Sequence, residues 1–252
     1  MRSREFLNEI ERTPTFKNDW ELDQESPKVD RIPKGSKKFP GYPNFVYYDV
    51  DSAGVGWKLG NYRTVVVIDR RNRNLVAKLT TQSTGILPGA VEESSVNVYD
   101  PYQRQGIAAS LYHLIAVDRN TPIIADREGG QTPEARKLWV GLWQGRMPDI
   151  VVKGYTTINI DNYFFQDIEK TVINYIMKLG GQWLYRTPKK WVVAFDMMPN
   201  RAESELTAAI QNELSSKVYH SEQFQGSDLF DDSGLVAMST AKWEKLTGYS
   251  PE

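Results

Sequence analysis

Four strand-like runs occupy the first half of this chain, and the last of them stops at an Asp-Pro break, a Gly and a small residue immediately ahead of an amphipathic helix. The runs are Asn44–Val50 (NFVYYDV), Tyr62–Asp69 (YRTVVVID), Leu75–Thr81 (LVAKLTT) and Val91–Tyr99, rich in the β-branched and aromatic residues that suit a pleated surface. The second and third are joined by the polar RRNRN, so they read as a hairpin. In the helix that follows the fourth run, Ile107, Leu111, Leu114 and Ile115 stand at i, i+4, i+7 and i+8, one apolar stripe that must pack on a sheet.

A short strand, PIIAD (Pro122–Asp126), comes next. Thr132-Pro133 then supplies an N-cap and the residue best tolerated at the first helical position, opening a helix with Ala135, Leu138, Trp139 and Leu142 on one face. From Pro148 the order reads strand (Ile150–Ile160), helix (Asp167–Leu179), strand (Gln182–Arg186), strand (Lys190–Met197), helix (Ala202–Leu214) and strand (Lys217–His220). This stretch is expected to form a separate small α+β domain, or else its first strand completes the sheet of the first domain while the remainder packs behind it.

The expected organisation is an N-terminal arm over 1–43 with a short helix at Arg4–Arg12, a main domain over 44–160, an α+β extension over 161–222, and a tail over 223–252 carrying a short helix. The fold class is α/β (α+β): a mixed, mostly antiparallel central sheet with flanking helices, plus a C-terminal α+β region.

Composition excludes several chemistries. The chain has no cysteine, which removes disulfides, thiolate nucleophiles and Cys-ligated zinc, and suits a reducing cytoplasm. It has two histidines, His113 and His220, too few for a His-rich metal site. A net charge of −1 gives no global attraction to polyanions, so any nucleic-acid contact must come from a local patch. No stretch approaches the apolar length needed to span a bilayer, and the charged MRSREFLNEIERTP does not read as a secretory leader, so no membrane partner is expected.

A strand that stops at a turn just before a helix makes an anion site, because the first amides of a helix have no intrahelical partner and the dipole adds positive potential. Gly106 permits close approach where a Cβ would obstruct it, and Ala108 keeps the first turn slim. The pattern fits neither the dinucleotide fingerprint nor the Walker loop.

Gln103-Arg104-Gln105-Gly106-Ile107-Ala108 resembles the Q/R-x-x-G-x-G/A signature of the GNAT superfamily, the acyl-CoA-dependent N-acetyltransferases. In that family the signature follows the fourth strand, opens the third helix, and holds the pyrophosphate of coenzyme A on its main-chain amides. The resemblance covers about Asn44 to Ile160, with PIIAD and TPEARKLWVGL similar to the fifth strand and fourth helix. It implies a GNAT-like sheet, acetyl-CoA as cofactor, and a cofactor site at Val98, Gln103, Arg104, Gln105, Gly106, Ile107 and Ala108.

Two departures stand out. Family members place one or two helices between the first and second strands, whereas only Asp51–Asn61 lies there in this chain, so the acceptor side is expected to be open and to suit a large partner. Many members also carry a tyrosine in the fourth helix that protonates the departing thiolate. Here the pattern reads Ala135-Arg136-Lys137-Leu138-Trp139, and an indole has no proton to give at useful pH.

Acyl transfer to an amine needs a base, because the acceptor is an ammonium at neutral pH. Glu92 and Glu93 are adjacent on the fourth strand, and alternation sends them to opposite faces. Simple alternation puts Glu93 with Ser95, Asn97 and Tyr99, a polar row, and Glu92 with Val96 and Val98, so Glu93 is the expected base, with Asp126 in reserve. Tyr99 or Tyr102 is the expected substitute acid.

Other features have ordinary readings beside functional ones. Trp183–Val193 (WLYRTPKKWVV) is either a hairpin or a platform for single-stranded bases with Lys189 and Lys190 on phosphates, and Asp69–Asn74 (DRRNRN) is either a tight turn or a contact for an acidic partner. DLFDD lacks calcium-loop spacing and reads as a solvated tail. The expected function is an acetyl-CoA-dependent N-acyltransferase acting on a macromolecular amine, on a protein or a nucleic acid. The alternatives are a catalytically silent GNAT-like structural or partner-binding protein and a nucleic-acid-modifying acyltransferase.

Overall fold

The computed structural model describes residues 26–53, 61–125, 132–160, 165–216 and 229–250. Its strands are β1 (Lys37–Lys38), β2 (Phe45–Ala53), β3 (Asn61–Asp69), β4 (Leu75–Ser83), β5 (Val91–Val98), β6 (Ile123–Ile124), β7 (Ile150–Asn159), β8 (Gln182–Arg186), β9 (Lys190–Phe195) and β10 (Phe230–Ser239). The helices are α1 (Ile107–His113), α2 (Pro133–Trp143), α3 (Phe165–Lys178), α4 (Pro199–Ser216) and α5 (Thr240–Thr247). Beyond His113, α1 runs on to Asp118 in a wider turn, where Arg119 N–H reaches back to Leu114 O.

All ten strands join one mixed sheet in the order β1-β2-β3-β4-β5-β6-β10-β7-β9-β8. Every neighbouring pair is antiparallel except β5 with β6. That parallel pair needs a crossover, and α1 supplies it. The first-half helices α1 and α2 bury Ile107, Leu111, Tyr112, Leu114, Trp139 and Leu142 against Val65, Val67, Ala77 and Leu79 of the sheet. Farther along the same face, α3 and α4 bury Ile168, Val172, Ile176, Leu206 and Ile210 against Ile158, Val193 and Phe195.

Among the described residues the opposite face is covered by α5, by Ile86 and Leu87 of the loop between β4 and β5, and by the arm. Trp243 of α5 packs with Tyr155, Leu184, Val192 and Val236. At the other end, Val29 and Ile32 of the arm lie on Val46, Ile68, Leu75 and Tyr99. The arm is held there by the backbone, through Val29 N–H to Arg73 O and Leu75 N–H to Pro27 O. The helix expected at Arg4–Arg12 lies outside the described residues.

The second half continues the first sheet: β7 joins it as one of the two readings had it, but β8 and β9 also join it instead of packing behind it. Residues 165–216 of the expected extension contribute α3, β8, β9 and α4, and their strands add to the far edge. The C-terminal region differs from the tail expected over 223–252. Its short helix is present as α5, but Phe230–Ser239 is an interior strand paired with β6 on one side and β7 on the other. Two acidic residues and a glycine hid it, although Leu235, Val236, Ala237 and Met238 supply the buried run. The strand expected at Lys217–His220 lies outside the described residues.

The RRNRN turn is the tight hairpin expected. Asp69 is fully buried and accepts from Arg71 Nε at 3.1 Å, Arg71 Nη2 at 2.8 Å and the Arg71 backbone N–H at 3.0 Å, while Arg73 donates to Asp30 O at 2.7 Å. Arg71's side-chain hydrogen bond is the largest influence holding the Asp69 carboxyl below its ordinary value of 3.8, against the opposing effect of burial. A lowered carboxyl pKa stabilises the fold above the unfolded value, and this contribution is lost as pH falls through the folded one. Asp69→Asn is therefore expected to flatten the acid limb of the stability profile between about pH 5 and 2, read by urea unfolding. The effect is small because the Arg71 side chain is largely in solvent.

Trp183–Val193 also forms the expected hairpin, β8 to β9, with Thr187 accepting from the backbone N–H groups of Lys189 and Lys190. Lys190 Nζ donates to Gly85 O at 2.9 Å, and the Arg186 guanidinium stands 4.6 Å from both the Trp183 and Trp191 rings. Among the described residues no helix is long and apolar enough to cross a membrane.

Candidate functional site

The turn between β5 and α1 is tied down by its own side chains and by the arm. Gln103 Nε2 donates to Val98 O at 3.2 Å, and Gln105 Nε2 to Pro101 O at 3.1 Å. From outside, the Tyr42 hydroxyl donates to Gln105 O at 2.5 Å, its ring stacked between Phe39 and Phe45 at 5.4 and 5.3 Å. Arg104 and Gly106 have φ of 61° and 79°, the left-handed region that only glycine enters without cost. Going along the chain from Gln103, the first backbone N–H to find a carbonyl among the described residues is that of Ser110, on Gly106 O. Gln103 to Gly106 are exposed, so the amides that precede Ser110 are presented at the surface, ahead of the buried Ile107.

Beside this turn the sheet opens. Among the described residues β5 and β6 pair at Val91↔Ile123 and Glu92↔Ile124, and Ala125 N–H then goes to Leu235 O of β10. From Glu93 to Val98, β5 keeps its antiparallel partner β4. The two parallel strands therefore diverge from Glu93 onward, towards the turn.

The register of β5 changes the assignment of its two carboxylates. Thr80 pairs with Ser95 and Thr81 with Glu93, leaving Ser94 as an extra residue. One such bulge reverses the alternation of everything beyond it. Glu93 consequently shares the helix-covered face with Val91, Val96 and Val98, and Glu92 shares the opposite face with Ser95, Asn97 and Tyr99. The sequence expectation had these pairings the other way round, because it assumed unbroken alternation.

Glu93 is 4% exposed and sits between two helices. Its Oε2 accepts from the Tyr112 hydroxyl of α1 and from Trp139 Nε1 of α2 at 3.1 Å, while the two aromatic rings meet edge to face. Burying a carboxylate is costly unless it is hydrogen-bonded, and these donors meet that need. Trp139, fully buried, thus has a polar role as well as an apolar one. Glu92 is 9% exposed and accepts from Gln82 Nε2 at 3.2 Å.

The two phenols expected as acids lie elsewhere. Tyr99 is on the face opposite Glu93, buried beneath the arm with the Lys78 ammonium 5.9 Å from its ring. Tyr102 accepts from Asn72 Nδ2 at 3.2 Å at the β3–β4 hairpin end. The phenol that meets Glu93 is Tyr112, whose signal in the sequence was only its place on the buried side of α1. Tyr42, 63 residues before the Gln105 whose carbonyl it holds, had no local signal. Asp126 and His220 lie outside the described residues. His113 stands 3.7 Å from both Asp118 and Asp149 near the protein surface, and no cluster suited to a metal occurs among the described residues.

Compared with known proteins, the chain matches no family model and no curated protein.

Proposed function

We propose that this chain is an acetyl-CoA-dependent N-acyltransferase of the GNAT type. The observation that carries the reading is the exposed turn Gln103–Gly106, whose main-chain amides stand ready for an anion at the end of β5, beside the opening between β5 and β6. Gly106 fits a pyrophosphate, since its left-handed φ and lack of a Cβ let an anion approach the backbone. The order of elements supports it as well. Counted from Phe45, the turn follows the fourth strand, the fifth lies parallel beside it, and α2 comes next.

Acetyl-CoA, when bound, would supply an activated acyl group. The amides of Gln103 to Ala108 would hold its phosphates and orient it along β5, and orientation of this kind accounts for several kcal/mol of a typical rate enhancement. A carboxylate on β5 would take the proton from the acceptor amine. The acceptor is a macromolecular amine. β2 and β3 stay paired as far as Ala53 and Asn61, so too few residues remain between them for the helices that wall a small-molecule site in the resembled family.

Isothermal titration calorimetry with acetyl-CoA tests the cofactor, and labelled acetyl-CoA offered to small polyamines and to protein and nucleic-acid extracts tests the acceptor. Binding with label in a macromolecule supports the reading. No binding removes it, and turnover confined to the small amines removes the macromolecular acceptor. A silent, partner-binding protein is the second reading, favoured by Trp139, which occupies the helix position of the usual acid and spends its N–H on Glu93. Binding without any labelling would support it.

A further inference from the structure

We propose that one end of the sheet, where the arm and the β3–β4 turn meet, binds single-stranded nucleic acid. The chain as a whole carries a charge of −1, but its cations are unevenly placed. Residues 28–38 hold five of them against the single acid Asp30. Lys28, Arg31, Lys34, Lys37 and Lys38 are all exposed, and none has a carboxylate partner among the described residues.

The arm carries these cations up to the arginines of the β3–β4 turn. Val29 N–H donates to Arg73 O, Lys28 stands opposite Asn74, and Arg73 Nη1 donates to Asp30 O at 2.7 Å. On the outer side, Lys37 and Lys38 pair with Tyr47 and Val46 of β2, and the start of β2 at Phe45 pairs with Asp69 at the foot of the turn. Arg70 is exposed there, and Arg71, although it holds the buried Asp69, keeps its side chain 65% exposed. Asn72 reaches the Tyr102 hydroxyl at 3.2 Å, which joins the turn bearing Arg104 to the same end. Arg73 and Arg104 both hold left-handed backbone, with φ of 62° and 61°, a conformation that glycine or asparagine enters at less cost. Two turns thus keep an arginine where a smaller residue would fit more easily. The exposed acids of these segments are Asp30 and Asp100.

The kind of polyanion follows from a recess of about 210 Å³ beside the lysines, lined by Pro33, Lys34, Lys37, Tyr47, Tyr48 and Asp49. Its one acid, Asp49, is ion-paired with Arg119 at 2.8 Å. Small-molecule sites typically have ~300–1,000 Å³, so this one suits a single planar ring better than a whole cofactor. Half-buried Tyr48 next to two free lysines is an arrangement that stacks an unpaired base and holds the phosphates on either side of it. A duplex keeps its bases inside, and an acidic peptide has carboxylates but no ring to place there. The other basic and aromatic stretch, Trp183–Val193, is engaged within the fold. Arg186 lies against both the Trp183 and Trp191 rings, and Lys190 donates to Gly85 O.

Fluorescence anisotropy tests the inference, using labelled single-stranded DNA and RNA of about 20 nucleotides, longer than the ~4–16 that such sites usually cover. Duplex of the same length and poly-L-glutamate serve as competitors, across a salt series. The natural protein should bind one or both single strands at least about 10-fold more tightly than duplex, with affinity that falls as salt rises. A variant combining Lys34→Ala, Lys37→Ala and Lys38→Ala should flatten the slope of log affinity against log salt by about 2, at about 0.7 per phosphate contact, and Arg70→Ala by about 0.7. Tyr48→Leu should weaken binding about 10-fold while Tyr48→Phe retains it, and Lys189→Ala on the β8–β9 hairpin should change nothing. The lysines and Arg70 are exposed, so thermal melts of those variants should match the natural protein. No binding at low salt, equal binding of duplex, displacement by poly-L-glutamate as effective as by unlabelled single strand, or an unchanged slope in the triple variant would overturn the inference. No acetyl-CoA is present in these measurements, so failure here leaves the acyltransferase reading intact, and failure of acetyl-CoA to bind leaves this inference intact.

Discussion

Glutamate in place of Gly106 is expected to abolish acetyl-CoA binding in a protein that still folds. A Cβ built at this position lies 3.3 Å from the Tyr42 hydroxyl, and the residue holds a φ of 79°. The left-handed backbone costs a residue with a Cβ about 1–2 kcal/mol, which a chain of this size should tolerate at an exposed turn. The effect on the ligand is larger, because the carboxylate stands where phosphates would sit and the amides that would hold them meet a competing anion. Gly106→Ala is the companion variant. It carries the same backbone strain without the charge, and should weaken binding without eliminating it. Calorimetry with acetyl-CoA, alongside a thermal melt of each variant, reads both effects, and unchanged affinity in folded Gly106→Glu would place the cofactor elsewhere.

Trp139→Ala should have the largest effect on stability. The side chain is fully buried, packs edge to face on Tyr112 with ring centroids 5.5 Å apart, and donates to Glu93. Emptying such a site costs about 3–5 kcal/mol from lost burial and the cavity left behind. Removing a donor from a buried carboxylate adds about 1–3 kcal/mol. The sum is comparable to the whole stability of a typical domain, so the variant is expected to be largely unfolded at physiological temperature. Trp139→Phe separates the two contributions, since it keeps most of the ring and loses only the N–H. It should cost about 1–3 kcal/mol in urea unfolding, and no change would mean that Glu93 takes up another partner.

The first half of the fold was legible because its signals are local. Runs of Val, Ile, Thr and Tyr, a polar turn at Asp69–Asn74 and an apolar stripe from Ile107 each report on a few neighbouring residues, and β2 to β5 and α1 appear where those signals put them. The candidate site was less legible because it depends on long-range geometry. Which of Glu92 and Glu93 faces the helices is set by one extra residue at Ser94, and nothing in VEESSVNV distinguishes a bulge from regular pleating. Tyr42 reaches Gln105 only because the arm folds back over β2, and Tyr112 meets Glu93 only because α1 crosses to that face. The strand at Phe230–Ser239 was missed for a related reason. Its acidic start reads as solvent-facing, while its central position comes from pairing with segments about eighty and more than a hundred residues away.

That strand also fixes the order of events during synthesis. β6 and β7 leave the ribosome well before β10, yet they are not neighbours until β10 lies between them. A nascent chain ending before Phe230 therefore carries two facing strand edges with unsatisfied amides and carbonyls, the kind of surface that recruits strands from other molecules. The sheet can close only once β10 has been synthesised, and the pairings that close it span long stretches of chain, a topology associated with slow folding. A chain truncated just before Phe230 would thus be exposed to aggregation, with its two halves unable to join.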